Sequence, residues 1–204
     1  MTRYGLISDI HTNINSLLCA FTVLDNCAVD FLYHLGDIAG GMHNSNQTIE
    51  ALIKKGVQGV MGNHDLAELC CHSEPLSPRT RDYLVNLPEK MEREDIVFTH
   101  ENPLDITFGQ GYWIKGSYIR NREDAKRVFA GTTARIIVVG HTHSASAFSD
   151  QGEEYYFVED GRIKLNSGKR YILNPGSVGR PRDGCTSSLG ILDTGKRTFE
   201  VIRF

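Results

Sequence analysis

Ile136-Ile137-Val138-Val139-Gly140-His141-Thr142-His143 is a short β-branched run that ends in a glycine and two histidines one residue apart. It reads as a strand leaving its sheet at a turn. Upstream, strand and helix signals alternate. Tyr4 to Ile7, Phe31 to Leu35, Val57 to Met61 and Ile96 to Thr99 are further apolar runs. Between them Ile14, Leu17, Leu18, Phe21 and Leu24 recur at helical spacing, with Thr12 or Asn13 available as N-cap. Ile49, Leu52 and Ile53 mark a second helix stopped by Gly56, and a third runs through Leu66, Leu69 and Cys70. Ala125 to Ala130 has a helical pattern as well.

Downstream of His143 the texture changes. Ala147-Phe148, Tyr155 to Val158, Arg162 to Leu165, Tyr171 to Leu173, Leu189 to Leu192 and Phe199 to Ile202 are short strand-like runs separated by turn residues. They read as a meander of antiparallel strands. A βα first part and a β-rich second part predict an α/β protein with two stacked sheets and helices outside. Residues 102–120 fit neither pattern. They carry Phe108, Tyr112, Trp113 and Tyr118 among glycines, and predict a small cap or long loop on a single domain spanning 1–204.

The chain has 204 residues and a formal net charge of -3. The length suits one domain and falls short of the roughly 250 residues of a typical (β/α)₈ barrel. The charge offers no footprint for non-specific nucleic-acid binding. No run approaches the length of a membrane span, and Met1 to Asp9 lacks the long apolar region of a signal peptide. Cys19, Cys27, Cys70, Cys71 and Cys185 contain no C-x-x-C and read as reduced thiols, which predicts a cytoplasmic protein.

The chemistry lies in what terminates each early strand. The first leads to Asp9 and His11, the second to Gly36-Asp37, and the third to Gly62-Asn63-His64-Asp65. The fourth ends at His100 and the fifth at His141 and His143. Open α/β sheets bind ligands beyond the carboxyl ends of their strands. Asp9 with His11, and His141 with His143, are i, i+2 pairs, which in extended backbone aim two side chains at one centre. The glycines before Asp37, Asn63 and His141 suit sharp exits. Any one motif would pass for a solvated loop; their joint order does not.

That order, D-x-H, G-D, G-N-H-D, a lone histidine and G-H-T-H, resembles the calcineurin-like metallophosphoesterases. Asn174-Pro175-Gly176-Ser177-Val178-Gly179 is similar to a turn of their small bacterial and archaeal phosphodiesterase branch. The resemblance implies a four-layer αββα sandwich of two mixed sheets flanked by helices. It implies that Asp9, His11 and His143 hold one metal ion, that Asn63, His100 and His141 hold another, and that Asp37 bridges them. It makes His64 a non-ligand histidine that contacts phosphate and protonates the leaving group. Thr99-His100-Glu101-Asn102 departs from the branch, which more often has glycine after that histidine, and Gly36-Asp37-Ile38-Ala39 lacks the arginine of the protein phosphatases.

Such a centre suits phosphate esters. Two divalent cations lower the pKa of a bridging water and clamp phosphoryl oxygens that would otherwise repel the nucleophile. The mixed His, Asp and Asn donors favour transition metals over Mg or Ca, with Mn taken first and Fe, Ni, Co or Zn as other choices that donor type does not separate. Two carboxylates against two dications leave a net positive site for a small phosphate ester, including a nucleotide. Asp65 either orients a ligand or caps the next helix. Arg180 and Arg182 either bind substrate phosphate or sit on the surface. Tyr112, Trp113 and Tyr118 either stack on a base or close a small core of the cap. His34 reads as a core histidine, His43 and His72 as loop residues, and Arg79, Arg81, Arg120 and Arg122 as solvated. The alternative to an enzyme is a non-catalytic metal-binding scaffold of the same fold. An H-x-H amidohydrolase fits neither the length nor the late β segment.

Overall fold

A computed structural model describes residues 1–41, 43–70, 75–104 and 118–204. Met42, Cys71, His72, and most of the expected cap, including Phe108, Tyr112 and Trp113, lie outside the described residues. The elements, in chain order, are β1 (Arg3–Ile7), α1 (Ile14–Asp25), β2 (Phe31–His34), α2 (Ser45–Lys55), β3 (Gln58–Gly59), α3 (Asn63–Cys70) and α4 (Pro78–Val85). There follow β4 (Lys90–Arg93), β5 (Ile96–Thr99), α5 (Arg122–Gly131), β6 (Ile136–Val138), β7 (Ala145–Ser149) and β8 (Glu154–Tyr156). The last are β9 (Gly161–Lys164), β10 (Tyr171–Pro175), β11 (Ser188–Asp193) and β12 (Thr198–Arg203).

The strands form two six-stranded mixed sheets, ordered β3-β2-β1-β11-β12-β9 and β4-β5-β6-β10-β7-β8. In the first, β1, β2 and β3 are parallel, with Tyr4 opposite Phe31 and Tyr33 opposite Gln58. In the second, β5, β6 and β10 are parallel, with Ile96 and Tyr171 both opposite Ile136. The period-two alternation of side chains builds the layers. Tyr4, Leu6, Tyr33, Phe98, Val138, Leu173 and Phe199 interleave between the sheets. Ile7 and Ile191 face the other way, onto Leu17, Phe21 and Leu24 of α1, Ile49 and Leu52 of α2, and Leu84 of α4. Ile137, Val139 and Ile172 face Ala125, Val128 and Phe129 of α5. The result is a four-layer αββα sandwich.

Caps follow local chemistry. Asn13 Oδ1 accepts from Ser16 N (3.2 Å) at the head of α1, and Gly56 closes α2 in the left-handed region. Two elements escape a reading of apolar runs. Helix α4 opens with Ser77 as N-cap and Pro78 in its first turn, a start signal that its polar interior obscures. Strand β4, Lys-Met-Glu-Arg, is an exposed edge strand held by its ladder to β5 rather than by burial. The third strand is shorter than its apolar run. Val60 N still donates to His34 O (3.2 Å), but Met61 N turns to Pro88 O (2.9 Å).

The expected meander is corrected. The late strands divide between the sheets: β7, β8 and β10 join one, β9, β11 and β12 the other. Strand β10 is buried along its whole length and takes a central place between β6 and β7, whereas the alternating β9 lies at an edge. Burial on both faces outranks the local hairpin signals. Among the described residues no helix is long and apolar enough to cross a membrane.

Candidate metal centre

The carboxyl ends of the parallel strands of both sheets meet at one edge of the sandwich, and the predicted residues are delivered there by turns. Asp9, His11, Asp37, His141 and His143 all have φ between +45° and +66°. The left-handed region costs a non-glycine residue about 1–2 kcal/mol, so this backbone is held by its neighbours. Asp9 N donates to Gly36 O (3.1 Å), Ile10 N and His11 N to Asp37 O (2.8 and 3.0 Å), and Thr12 N to Ile38 O (2.8 Å). The i, i+2 pairs therefore do not sit in extended backbone as expected. Asp9 and His11 still converge on one group, while His141 and His143 diverge to two.

The glycines serve two different needs. Gly36 adopts φ +86°. At Gly62 a Cβ would come within 2.2 Å of Asp37 N, and at Gly140 within 2.1 Å of Ser8 Oγ. Gly36 supplies conformation, the other two supply room for neighbouring loops.

Two groups of donor atoms result. Asp9, His11, Asp37 and His143 form one, and Asp37, His100 and His141 the other, with the donor atoms of each group within 4.8 Å of one another. Asp37 belongs to both. Its Oδ2 lies 3.7 Å from His11 Nε2 and 3.2 Å from His100 Nε2, and its Oδ1 accepts from His64 N (2.8 Å). His143 Nε2 is 3.3 Å from Asp9 Oδ1 and 3.1 Å from His11 Nε2. Asp9 Oδ2 accepts from Ser8 Oγ (2.7 Å) and His141 N (3.1 Å), tying the two sheets together.

The donor chemistry fits divalent cations. Asp9 Oδ1, Asp37 Oδ2, Asn63 Oδ1 and His100 Nε2 are buried without a hydrogen bond of good geometry. Buried polar atoms are normally paired, and the orphans on Asp9, Asp37 and His100, which lie within the two donor groups, call for a ligand. The opposite nitrogens of two imidazoles are already committed. His100 Nδ1 bonds Leu35 O (2.6 Å) and His143 Nδ1 bonds Arg180 O (2.5 Å), which leaves each Nε2 lone pair facing the centre.

Protonation follows burial and charge. Burial lowers His11 to about 3 and His143 to about 4, keeping both neutral and able to ligate. Burial pushes Asp37 up, but the charge of the adjacent His100 outweighs it and holds the carboxyl low. Burial likewise opposes charge on His100, yet Asp37 and Asp9 raise it. Without a cation, a proton on His100 answers the Asp37 charge.

Asn63 and His64 open helix α3, and the His64 ring meets that of His11 edge-on at 4.8 Å. Asp65 is fully buried. Its Oδ2 accepts from Gly62 N and its Oδ1 from Ala39 N, both 2.9 Å, so it joins the loops that carry Asp37 and Asn63. Arg180 and Arg182 are exposed, although Arg182 is close enough for its charge to lower His143. His34 is buried and paired with Tyr83 Oη (3.0 Å), as a core histidine should be, and His43 is exposed.

The turn from Asn174 to Arg180 holds more of the site than its sequence signal suggests. Asn174 Nδ2 donates to Gly140 O (2.7 Å) and Thr142 Oγ1 (3.0 Å). Ser177 Oγ donates to Asp9 O (2.8 Å), and Val178 N and Gly179 N bond Ser8 O and Asp9 O (2.9 and 3.1 Å). One turn thus braces both i, i+2 pairs. The only sequence signal was an Asn-Pro-Gly-Ser stretch beside apolar residues. Tyr118 stacks on the His141 imidazole, a contact that neither alternative, base stacking or a small cap core, includes.

Known proteins share this architecture. An uncharacterised protein of Methanocaldococcus jannaschii, MJ0912, is 28% identical over 220 residues, covering 98% of this chain and 86% of that protein. A metallophosphoesterase from Sphaerobacter thermophilus superposes with a TM-score of 0.84 at 26% identity, covering 99% of this chain and 87% of the other. An archaeal phosphodiesterase shares the fold at a TM-score of 0.58 and 17% identity, covering 99% of each chain. The sequence profile of the calcineurin-like phosphoesterase superfamily domain matches residues 2–197. Two mixed sheets, buried His and Asp clusters at their shared edge and a match over nearly the whole length place the chain in the calcineurin-like phosphoesterase superfamily.

Proposed function

We propose that the protein hydrolyses phosphate mono- or diesters with two divalent transition-metal ions. The observation that carries this reading is the pair of donor groups sharing Asp37, with buried carboxylate oxygens of Asp9 and Asp37 left unsatisfied within them. Its likeness to the metallophosphoesterase of Sphaerobacter thermophilus supports it.

Asp9, His11 and His143 would hold one ion, Asn63, His100 and His141 the other, with Asp37 between them. When bound, the ions would lower the pKa of an attacking water and offset charge on the phosphoryl oxygens. The chain does the rest. Two carboxylates among seven donors keep the loaded site positive and receptive to an anionic ester. The carbonyls of Leu35 and Arg180 lock two imidazoles in the ligating tautomer. His64 is part-exposed at the head of α3, beside His11, where its ring can meet a phosphate oxygen and deliver a proton to the leaving alkoxide. The donor set suits Mn, Fe, Co, Ni or Zn.

Metal content of purified protein, followed by paired assays on p-nitrophenyl phosphate and bis-p-nitrophenyl phosphate, tests this. Two ions per chain, turnover stopped by EDTA and turnover abolished in Asp37→Ala are expected. Full activity in Asp37→Ala would reject the site. Stoichiometric metal without turnover of either ester would favour the non-catalytic scaffold.

A further inference from the structure

Tyr118 and Arg120 stand beside the second donor group and take no part in metal binding. The Tyr118 ring lies nearly parallel on the His141 imidazole, centroids 4.2 Å apart and planes inclined by 15°. The guanidinium carbon of Arg120 lies 3.8 Å from the Tyr118 centroid. One ring face has room for one planar group at that distance, so imidazole and guanidinium occupy opposite faces. The three groups follow one another, with the guanidinium no more than about 8 Å from the His141 ring.

The backbone of Arg120 is pinned on both sides. Its N–H donates to Asp124 Oδ2 (3.0 Å), and its carbonyl accepts from Tyr156 Oη (3.1 Å). The other carboxylate oxygen of Asp124 takes Arg127 instead (2.6 Å). Among the described residues no carboxylate pairs with the Arg120 guanidinium. A guanidinium held over an aromatic face by its central carbon keeps N–H donors at its rim for an anion, and a phosphate can take two of them. An exposed arginine normally loses rotamer entropy when it captures an anion. This one is already restrained.

We propose that Tyr118 and Arg120 form a second anion subsite, so that the centre prefers phosphate esters carrying a further phosphate across a sugar-sized spacer, as in a nucleoside bisphosphate. Tyr118 is the positioning residue and Arg120 the anion contact. The proposal rests on the phosphoesterase reading above, and its test separates the two.

Calorimetry on Mn²⁺-loaded protein would compare thymidine 3′,5′-bisphosphate with thymidine 5′-monophosphate, with a Mn²⁺ isotherm recorded for every variant. The wild type should bind the bisphosphate about fivefold more tightly or better. Arg120→Gln should remove that preference. Tyr118→Leu should remove most of it, and Tyr118→Phe, which keeps the ring, should retain it. Arg122→Gln deletes an equal charge two residues away without touching the stack and should retain the preference. No preference in the wild type, an equal loss for both ligands in Arg120→Gln, or the same loss in Arg122→Gln would overturn the subsite. A wild type that takes up no Mn²⁺, or binds neither ligand, would overturn the metal-centre reading and the subsite with it.

Discussion

His11 Nε2 and His143 Nε2 lie 3.1 Å apart although 132 residues separate them in the chain. That is the separation of neighbouring nitrogens around a single ion with metal–nitrogen bonds of about 2.1 Å. With burial holding both rings neutral, two lone pairs share one small volume unless a cation or a single proton lies between them. His11→Ala and His143→Ala should therefore each lower metal content from two ions to one. The affinity of the lost site should fall by more than about a hundredfold, beyond the effect of losing a ligand's supporting partner. The double variant should lose little more, because the two act on one ion. Elemental analysis after dialysis reads the stoichiometry, and additive loss would show that they serve separate ions.

Asp65 spends both carboxylate oxygens on backbone donors, Gly62 N and Ala39 N. An amide offers one acceptor oxygen, so Asp65→Asn should strand one buried N–H and cost about 1–3 kcal/mol. Urea denaturation at pH 7 measures this. A change below about 0.5 kcal/mol would mean that these bonds do not anchor the Asp37 and Asn63 loops.

Gly62→Ala and Gly56→Ala form a matched pair. A Cβ at Gly62 would meet Asp37 N at 2.2 Å and Asp37 Oδ1 at 2.3 Å, whereas one at Gly56 meets open space. Gly56→Ala bears only its left-handed φ of +72°, at about 1 kcal/mol. Gly62→Ala should cost about 3 kcal/mol, the upper range of overpacking, and should also weaken metal binding by displacing Asp37. Melting curves with and without metal distinguish the two effects. Equal behaviour of the variants would contradict the close approach of these loops.

Burial lowers His34 to about 3 from its ordinary 6.5. The unfolded chain therefore takes up a proton at higher pH than the folded one. The stability contribution of neutral His34 is complete above pH 6.5 and declines as pH falls toward 3. At pH 5 the loss from this group reaches about 2 kcal/mol. His34→Gln should flatten the decline in stability between pH 7 and pH 5, whatever its cost at pH 7. An unchanged slope in chemical denaturation would place the acid sensitivity elsewhere.

Much of this was legible in the chain itself. The apolar runs from Tyr4 to Ile7 and from Ile96 to Thr99, the 3.6-residue spacing through Leu17, Phe21 and Leu24, and the polar residues at each strand exit are local patterns that sequence states directly. Helix α4 and strand β4 were not legible, because a capped polar helix and a charged edge strand carry little apolar periodicity. The course of the late strands was not legible either. Turn residues mark where strands reverse, but which strands become neighbours depends on how much surface each must bury.

The sequence by itself determined which residue types stand at the strand ends and in what order, since composition and period are properties of the chain alone. Only the tertiary structure decided that Asp9 and Asp37 from one sheet meet His100, His141 and His143 from the other, and that Asp37 stands in both groups. The physical reason is that these side chains converge across a seam closed by long-range packing. The left-handed turns that aim them are costly in isolation and persist only because bonds such as His141 N to Asp9 Oδ2 and Ser177 Oγ to Asp9 O hold them from outside their own strands.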